Sequence, residues 1–172
     1  MSLKGQVGLV ADDNPRFWPN VIRHVTHKAA GDIPVAEVPY HIVVADSETT
    51  YIGAEPGGVV RRTIGAADDA YPNIAWSRFE DLDLHAGLMF LTAQLGKPYS
   101  YADDAIVGVD ELLPFDFPRF VYGALINGSS WQCAALGDVY LLYAGQNLFQ
   151  HRHPGDVTPA HYAPYWRSKG WL

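Results

Sequence analysis

Val38-Pro39-Tyr40-His41-Ile42-Val43-Val44-Ala45 is followed by Asp46-Ser47-Glu48 and Thr49-Thr50-Tyr51-Ile52-Gly53-Ala54. After Glu55-Pro56-Gly57 comes Gly58-Val59-Val60-Arg61-Arg62-Thr63-Ile64. Each run is rich in β-branched or aromatic residues, and each is bounded by polar residues, glycine or proline, so all three read as strands. The gaps are short enough for hairpins, which makes the strands antiparallel neighbours. Working outward, Gly5-Gln6-Val7-Gly8-Leu9-Val10 is a further strand, ended by the turn signal Asp12-Asp13-Asn14-Pro15. Ile74 to Phe79 is another candidate strand, and Val21 to Lys28 carries helical spacing at Val21, Ile22 and Val25.

The second half reads as helices. Leu84, Leu88, Leu91 and Leu95 lie on one stripe of a helix from Leu82 to Leu95, stopped by Gly96. A loop over Lys97–Tyr101 leads to a predicted helix from Ala102 to Leu113, and Pro114 and Pro118 then break the chain. Another helix begins near Cys133, with Leu136, Val139, Tyr140 and Tyr143 at helical spacing and Gly145 as its stop. Thr158-Pro159 opens a last one, with threonine as cap and proline at the first helical position. Strands followed by helices predict an α+β fold, an antiparallel sheet with helices packed on one face. The length suits a single domain spanning residues 1–172.

Composition narrows the function. The chain is 48% hydrophobic and 18% charged, with a formal charge of -7, which disfavours a nucleic-acid surface. Arg61-Arg62 is its one adjacent basic pair and reads as a solvated strand face. A single cysteine excludes an intramolecular disulfide framework and a cysteine-rich zinc site. No apolar run is long enough to span a bilayer, and the N-terminus does not read as a signal peptide. The expected product is therefore soluble and cytoplasmic as synthesised, with release to a cell wall or assembly into a particle left open. His151-Arg152-His153, with Asp156 and His161, matches no strong zinc spacing. Asp12-Asp13, Asp68-Asp69 and Asp103-Asp104 read as turn or helix-start carboxylates. No metal or organic cofactor is expected.

The lone cysteine sits in Ser129-Ser130-Trp131-Gln132-Cys133-Ala134-Ala135-Leu136. Ser129 or Ser130 is expected to cap the helix, which places the sulfur in the first turn. There, free amides and the helix dipole favour thiolate, the attacking species of cysteine catalysis. A cysteine nucleophile needs a histidine from elsewhere in the fold. His41 stands apart from the other histidines because it lies within a strand, and a rigid strand can hold an imidazole in place. Its alternation partners Val43 and Ala45 are apolar, so its face is expected to point inward.

In their order, these segments resemble the circularly permuted branch of the NlpC family of papain-like cell-wall peptidases and amidases, where the histidine strand precedes the cysteine helix. Gly5–Val10 resembles its opening strand, and Val21–Thr26 the helix leading to the histidine strand. Gly96-Lys97-Pro98-Tyr99-Ser100-Tyr101 resembles its glycine-x-proline-tyrosine loop. Trp131-Gln132-Cys133 and Thr158-Pro159-Ala160 resemble its nucleophile helix and closing segment. The chain departs from the family pattern in carrying Gln132, Ala134 and Ala135 around the cysteine, and Tyr40 where a serine commonly precedes the histidine.

The resemblance implies a papain-like hydrolase with Cys133 as nucleophile and His41 as its acid–base partner. It also implies a polar residue on the next strand to orient His41. A loop over Asp46–Thr50 would pair Ala45 with Tyr51 and hence His41 with Glu55, whereas a different loop would favour Asp46 or Glu48. Candidate oxyanion donors are the Cys133 amide, the Tyr99 hydroxyl (by resemblance) and Asn127. Trp131 and Trp76 are candidates to line a groove. The implied substrate is an amide bond of a peptidoglycan stem peptide. The alternatives are a thioesterase or acyltransferase acting on lipid acyl groups, and a non-catalytic binding or structural module such as a phage tail component.

Overall fold

The computed structural model describes residues 2–11, 22–24, 26–66, 71, 73–101 and 129–172. The expected helix over residues 102–113, the breaks at Pro114 and Pro118, the three aspartate pairs and Asn127 lie outside the described residues.

The fold is α+β. Strands β1 (Val7–Val10), β2 (His41–Ala45), β3 (Thr50–Glu55), β4 (Gly58–Thr63) and β5 (Ile74–Trp76) form one five-stranded sheet in the order β4-β3-β2-β1-β5. Every pairing is antiparallel. Helices α1 (Leu84–Ala93), α2 (Cys133–Tyr143) and α3 (Pro159–Ser168) follow. Residues 22–24 and Thr26 are helical and continue as a 3-10 turn over His27–Ala30. None of the described helices is long and apolar enough to cross a membrane.

Strand β2 starts later than the expected Val38. Val35–Glu37 forms a 3-10 turn, and Pro39, which has no N–H to donate, separates it from the ladder. Ladder pairing begins at His41, opposite Val10, while the Tyr40 amide donates to the Val10 carbonyl at 3.0 Å.

Alternation sorts the sheet into two faces. Val7, Leu9, Ile42, Val44, Ile52 and Ala54 enter the main core with α1, α2 and α3. Val10, Val43 and Tyr51 pack with Tyr40 on the other, where Tyr71, Ile74 and Trp76 cover them in part. Helix α2 lies close against β2, since a Cβ placed on Gly137 would stand 2.8 Å from Ile42 Cγ2. Its adjoining flank meets α1, where the Tyr140 ring occupies the space that a side chain at Gly87 would need. Helix α3 buttresses α2 through the Tyr162 hydroxyl, which donates to the Ala134 carbonyl at 3.2 Å.

Candidate active site

Cys133 is the first residue of α2, but neither Ser129 nor Ser130 caps the helix. The cap is Gln132, whose Oε1 accepts from the Ala134 amide at 2.9 Å while its Nε2 donates to the Val157 carbonyl at 2.8 Å. The reason lies one residue earlier. Trp131 is paired as a short bridge with Tyr99: its amide donates to Pro98 O and its carbonyl accepts from the Ser100 amide, both at 3.0 Å. This pairing keeps the chain extended through Gln132, so the helix cannot begin before Cys133. The thiol is 4% exposed, at the helix end where the first amides have no intrahelical partner.

The Gly96–Tyr101 loop is fastened at both ends. The Gly96 amide donates to Val59 O at 2.9 Å, and the Val59 amide donates to Lys97 O at 2.8 Å, which ties the loop to β4. Gly58 permits this approach: it has a φ of 126°, and a Cβ there would meet Lys97 O at 2.7 Å. Tyr99 thus stands beside the entry to the cysteine helix. Trp131 is core rather than groove surface. It is 4% exposed, and its indole N–H donates to Gln94 Oε1 at 3.0 Å. Trp76 is half-buried on β5.

His41 is 6% exposed and leaves the sheet on the face that carries Gly53. A Cβ on Gly53 would stand 3.4 Å from His41 Nε2 and 3.2 Å from Val43 Cγ1. Burial lowers the imidazole to about 3, so it is neutral at physiological pH. Nε2 has no hydrogen-bond partner among the described residues. Tyr71 lies on the ring, with centroids 4.6 Å apart and planes inclined by 32°.

The β2–β3 register is the one that a loop over Asp46–Thr50 requires: Ala45 opposes Tyr51 and Val43 opposes Gly53. The pairing runs as far as Val43–Gly53, and two residues beyond it His41 and Glu55 lie on the same face of the sheet. Glu55 is buried, and its carboxylate is held by Arg62. Arg62 Nε donates at 3.0 and 2.8 Å and Nη2 at 2.7 Å, and this bonding raises the guanidinium above its ordinary value. Asp46 and Glu48 lie at the far end of the hairpin, engaged by Arg61 and by the N-terminal segment at Ser2–Leu3.

Tyr71, the ring against His41, also feels charge from β3 and α2. Its phenol is pushed up first by burial, then by the charges of Glu55 and Cys133. Cys133 stands one turn before Gly137, the residue seated over Ile42, and it packs in the core on the helix side of the sheet.

The structure adds three residues that the sequence reading did not single out for the site: Tyr71, Arg62 and Gln132. Only Arg62 left a signal, as a basic residue on the Glu55 side of the next strand. Asp138 is buried in α2, its Oδ1 has no hydrogen-bond partner among the described residues, and burial pushes its carboxyl up to about 7.

Among the described residues, no group of three or more histidine, cysteine, aspartate or glutamate side chains is arranged to hold a metal ion. In the C-terminal cluster, Arg152 pairs with Asp156 at 3.0 Å, and His161 Nδ1 accepts from the Thr158 amide at 3.0 Å. Comparison with known protein families, with curated proteins and with solved structures gives no match for this chain.

Proposed function

We propose that the chain is a thiol hydrolase of the permuted papain-like type, cleaving an amide bond of a peptide substrate. The observation that carries this reading is the placement of its single cysteine. Cys133 opens a helix packed on the strand that His41 opens, with Glu55 on the adjoining strand. In the proposed reaction, neutral His41 takes the Cys133 proton as the sulfur attacks the carbonyl. The imidazolium then returns that proton to the leaving amine as the C–N bond breaks. Water, deprotonated by the same ring, cleaves the thioester and regenerates the thiol. The Cys133 amide and the Tyr99 hydroxyl are the proposed oxyanion donors.

Arg62 and Glu55 put charged groups beside the site, which favours a polar peptide, such as a peptidoglycan stem peptide, over a lipid acyl chain. The test is the rate of Cys133 alkylation by iodoacetamide against pH, in wild type and in His41→Ala. A rate that depends on His41 supports the pair, and stem peptides and acyl esters are then compared as substrates. A Cys133 indifferent to His41 would sink the hydrolase and leave a binding or assembly module.

A further inference from the structure

Glu55 and His41 share one end of the sheet, yet their bonding states are opposite. The Glu55 carboxylate receives three hydrogen bonds from Arg62. His41 Nε2, on a ring 6% exposed, has no partner among the described residues. A buried nitrogen without a partner calls for an explanation, because such groups are nearly always satisfied. The β2–β3 ladder is paired as far as Val43–Gly53, and alternation puts His41 and Glu55, each two residues beyond that pair, on the same sheet face. A Cβ on Gly53 would stand 3.4 Å from His41 Nε2, which sets the imidazole beside the strand that carries Glu55. The Arg62 side chain is 41% exposed, so water replaces the carboxylate when it leaves.

We infer that Arg62 is a positioning residue: it clamps Glu55 away from His41, and transfer of Glu55 from Arg62 to His41 Nε2 completes the catalytic set. This rests on the hydrolase reading above. In the clamped state His41 is a neutral ring with no acceptor to orient it. After transfer, Nε2–H donates to Glu55, which fixes the tautomer and leaves the Nδ1 lone pair free to take the Cys133 proton. The carboxylate also stabilises the imidazolium that forms. Only hydrogen bonds are exchanged. The titratable groups gathered here are Glu55 and Tyr51 from β3, Arg62 from β4, Cys133 from α2, and Tyr40 and Tyr71, all linked through Tyr71.

The experiment is an NMR titration of the His41 Cε1–H signal in the full chain. It compares wild type, Arg62→Gln and the double variant Arg62→Gln/Glu55→Gln, with Cys133 alkylation by iodoacetamide followed in parallel. Arg62→Gln is expected to raise the His41 pKa by at least roughly one unit, and the double variant to bring it back down. Arg62→Lys, which keeps the charge and loses the bidentate fork, is expected to lie between wild type and Arg62→Gln, and it stands in should Arg62→Gln fail to fold. A purely structural Arg62 would change stability without this reversal. An unchanged His41 titration in both Arg62 variants, or a rise that survives removal of the Glu55 charge, overturns the clamp. Failure of the hydrolase reading looks different: alkylation of Cys133 would then ignore His41→Ala, whatever the His41 titration shows.

Discussion

Ala45 lies directly opposite Tyr51 in the β2–β3 ladder. That one pairing decides which carboxylate shares a sheet face with His41, because a slip of one residue would turn Glu55 to the other side. It also sets Gly53 between Glu55 and Tyr51, beneath the imidazole.

Gly53 leaves the His41 ring its space. An added Cβ would be 3.4 Å from Nε2 and 3.2 Å from Val43 Cγ1, tight on both sides. Gly53→Val is expected to displace the imidazole and cost about 1–3 kcal/mol of stability, with Gly53→Ala milder. Urea unfolding and the His41 Cε1–H chemical shift check this, and an unmoved signal in Gly53→Val would refute it.

Gln132 holds the start of the cysteine helix to the segment before α3. Gln132→Ala removes the cap on the Ala134 amide and leaves the buried Val157 carbonyl without that donor. The expected loss is about 1–3 kcal/mol, together with faster Cys133 alkylation as the first turn loosens. Loss of stability with no change in alkylation would show that the thiol is held by other contacts.

Asp138 makes stability fall with rising pH. Its carboxyl ionises near 3.8 in the unfolded chain and at about 7 in the fold, so the folded state binds more protons between those values. Stability therefore declines as pH climbs from about 4 to about 7 and stays lowered above that. Asp138→Asn is expected to flatten the profile and to gain on the order of a few kcal/mol at about pH 8. Parallel urea midpoints for the two proteins across this range would contradict it.

His161 acts in the opposite sense. Its Nδ1 accepts from the Thr158 amide, and burial, with Arg152 nearby, lowers the imidazole to about 3. The unfolded chain takes up this proton near 6.5, so the contribution of His161 is complete above that value and lost as pH falls toward about 3. His161→Gln retains an acceptor without a titrating proton, and its melting temperature should fall less between neutral pH and about pH 4 than that of wild type. Equal losses in both proteins would place the acid sensitivity elsewhere, His41 being the next candidate.

The hairpin register was legible because a two-residue side-chain period and the polar loop over Asp46–Thr50 allow few pairings. The positions of Cys133 and the α3 cap were legible from local helix-start chemistry. The bonding of Glu55 was not, because Arg62 reaches it along the sheet and strand periodicity carries no information on side-chain reach. The Gln132 cap was hidden as well: the serines are the better intrinsic caps, but the bridge between Trp131 and Tyr99 removes them from contention. Trp131 went into the core for a similar non-local reason, the Gln94 amide that receives its indole N–H.

The bond from Gln132 to Val157 has a consequence for synthesis. The strand that carries His41 leaves the ribosome early, but the helix that Cys133 opens gains its outer anchor only after Val157 has emerged. A nascent chain therefore carries the start of the Cys133 helix without its final fastening until Val157 has been made.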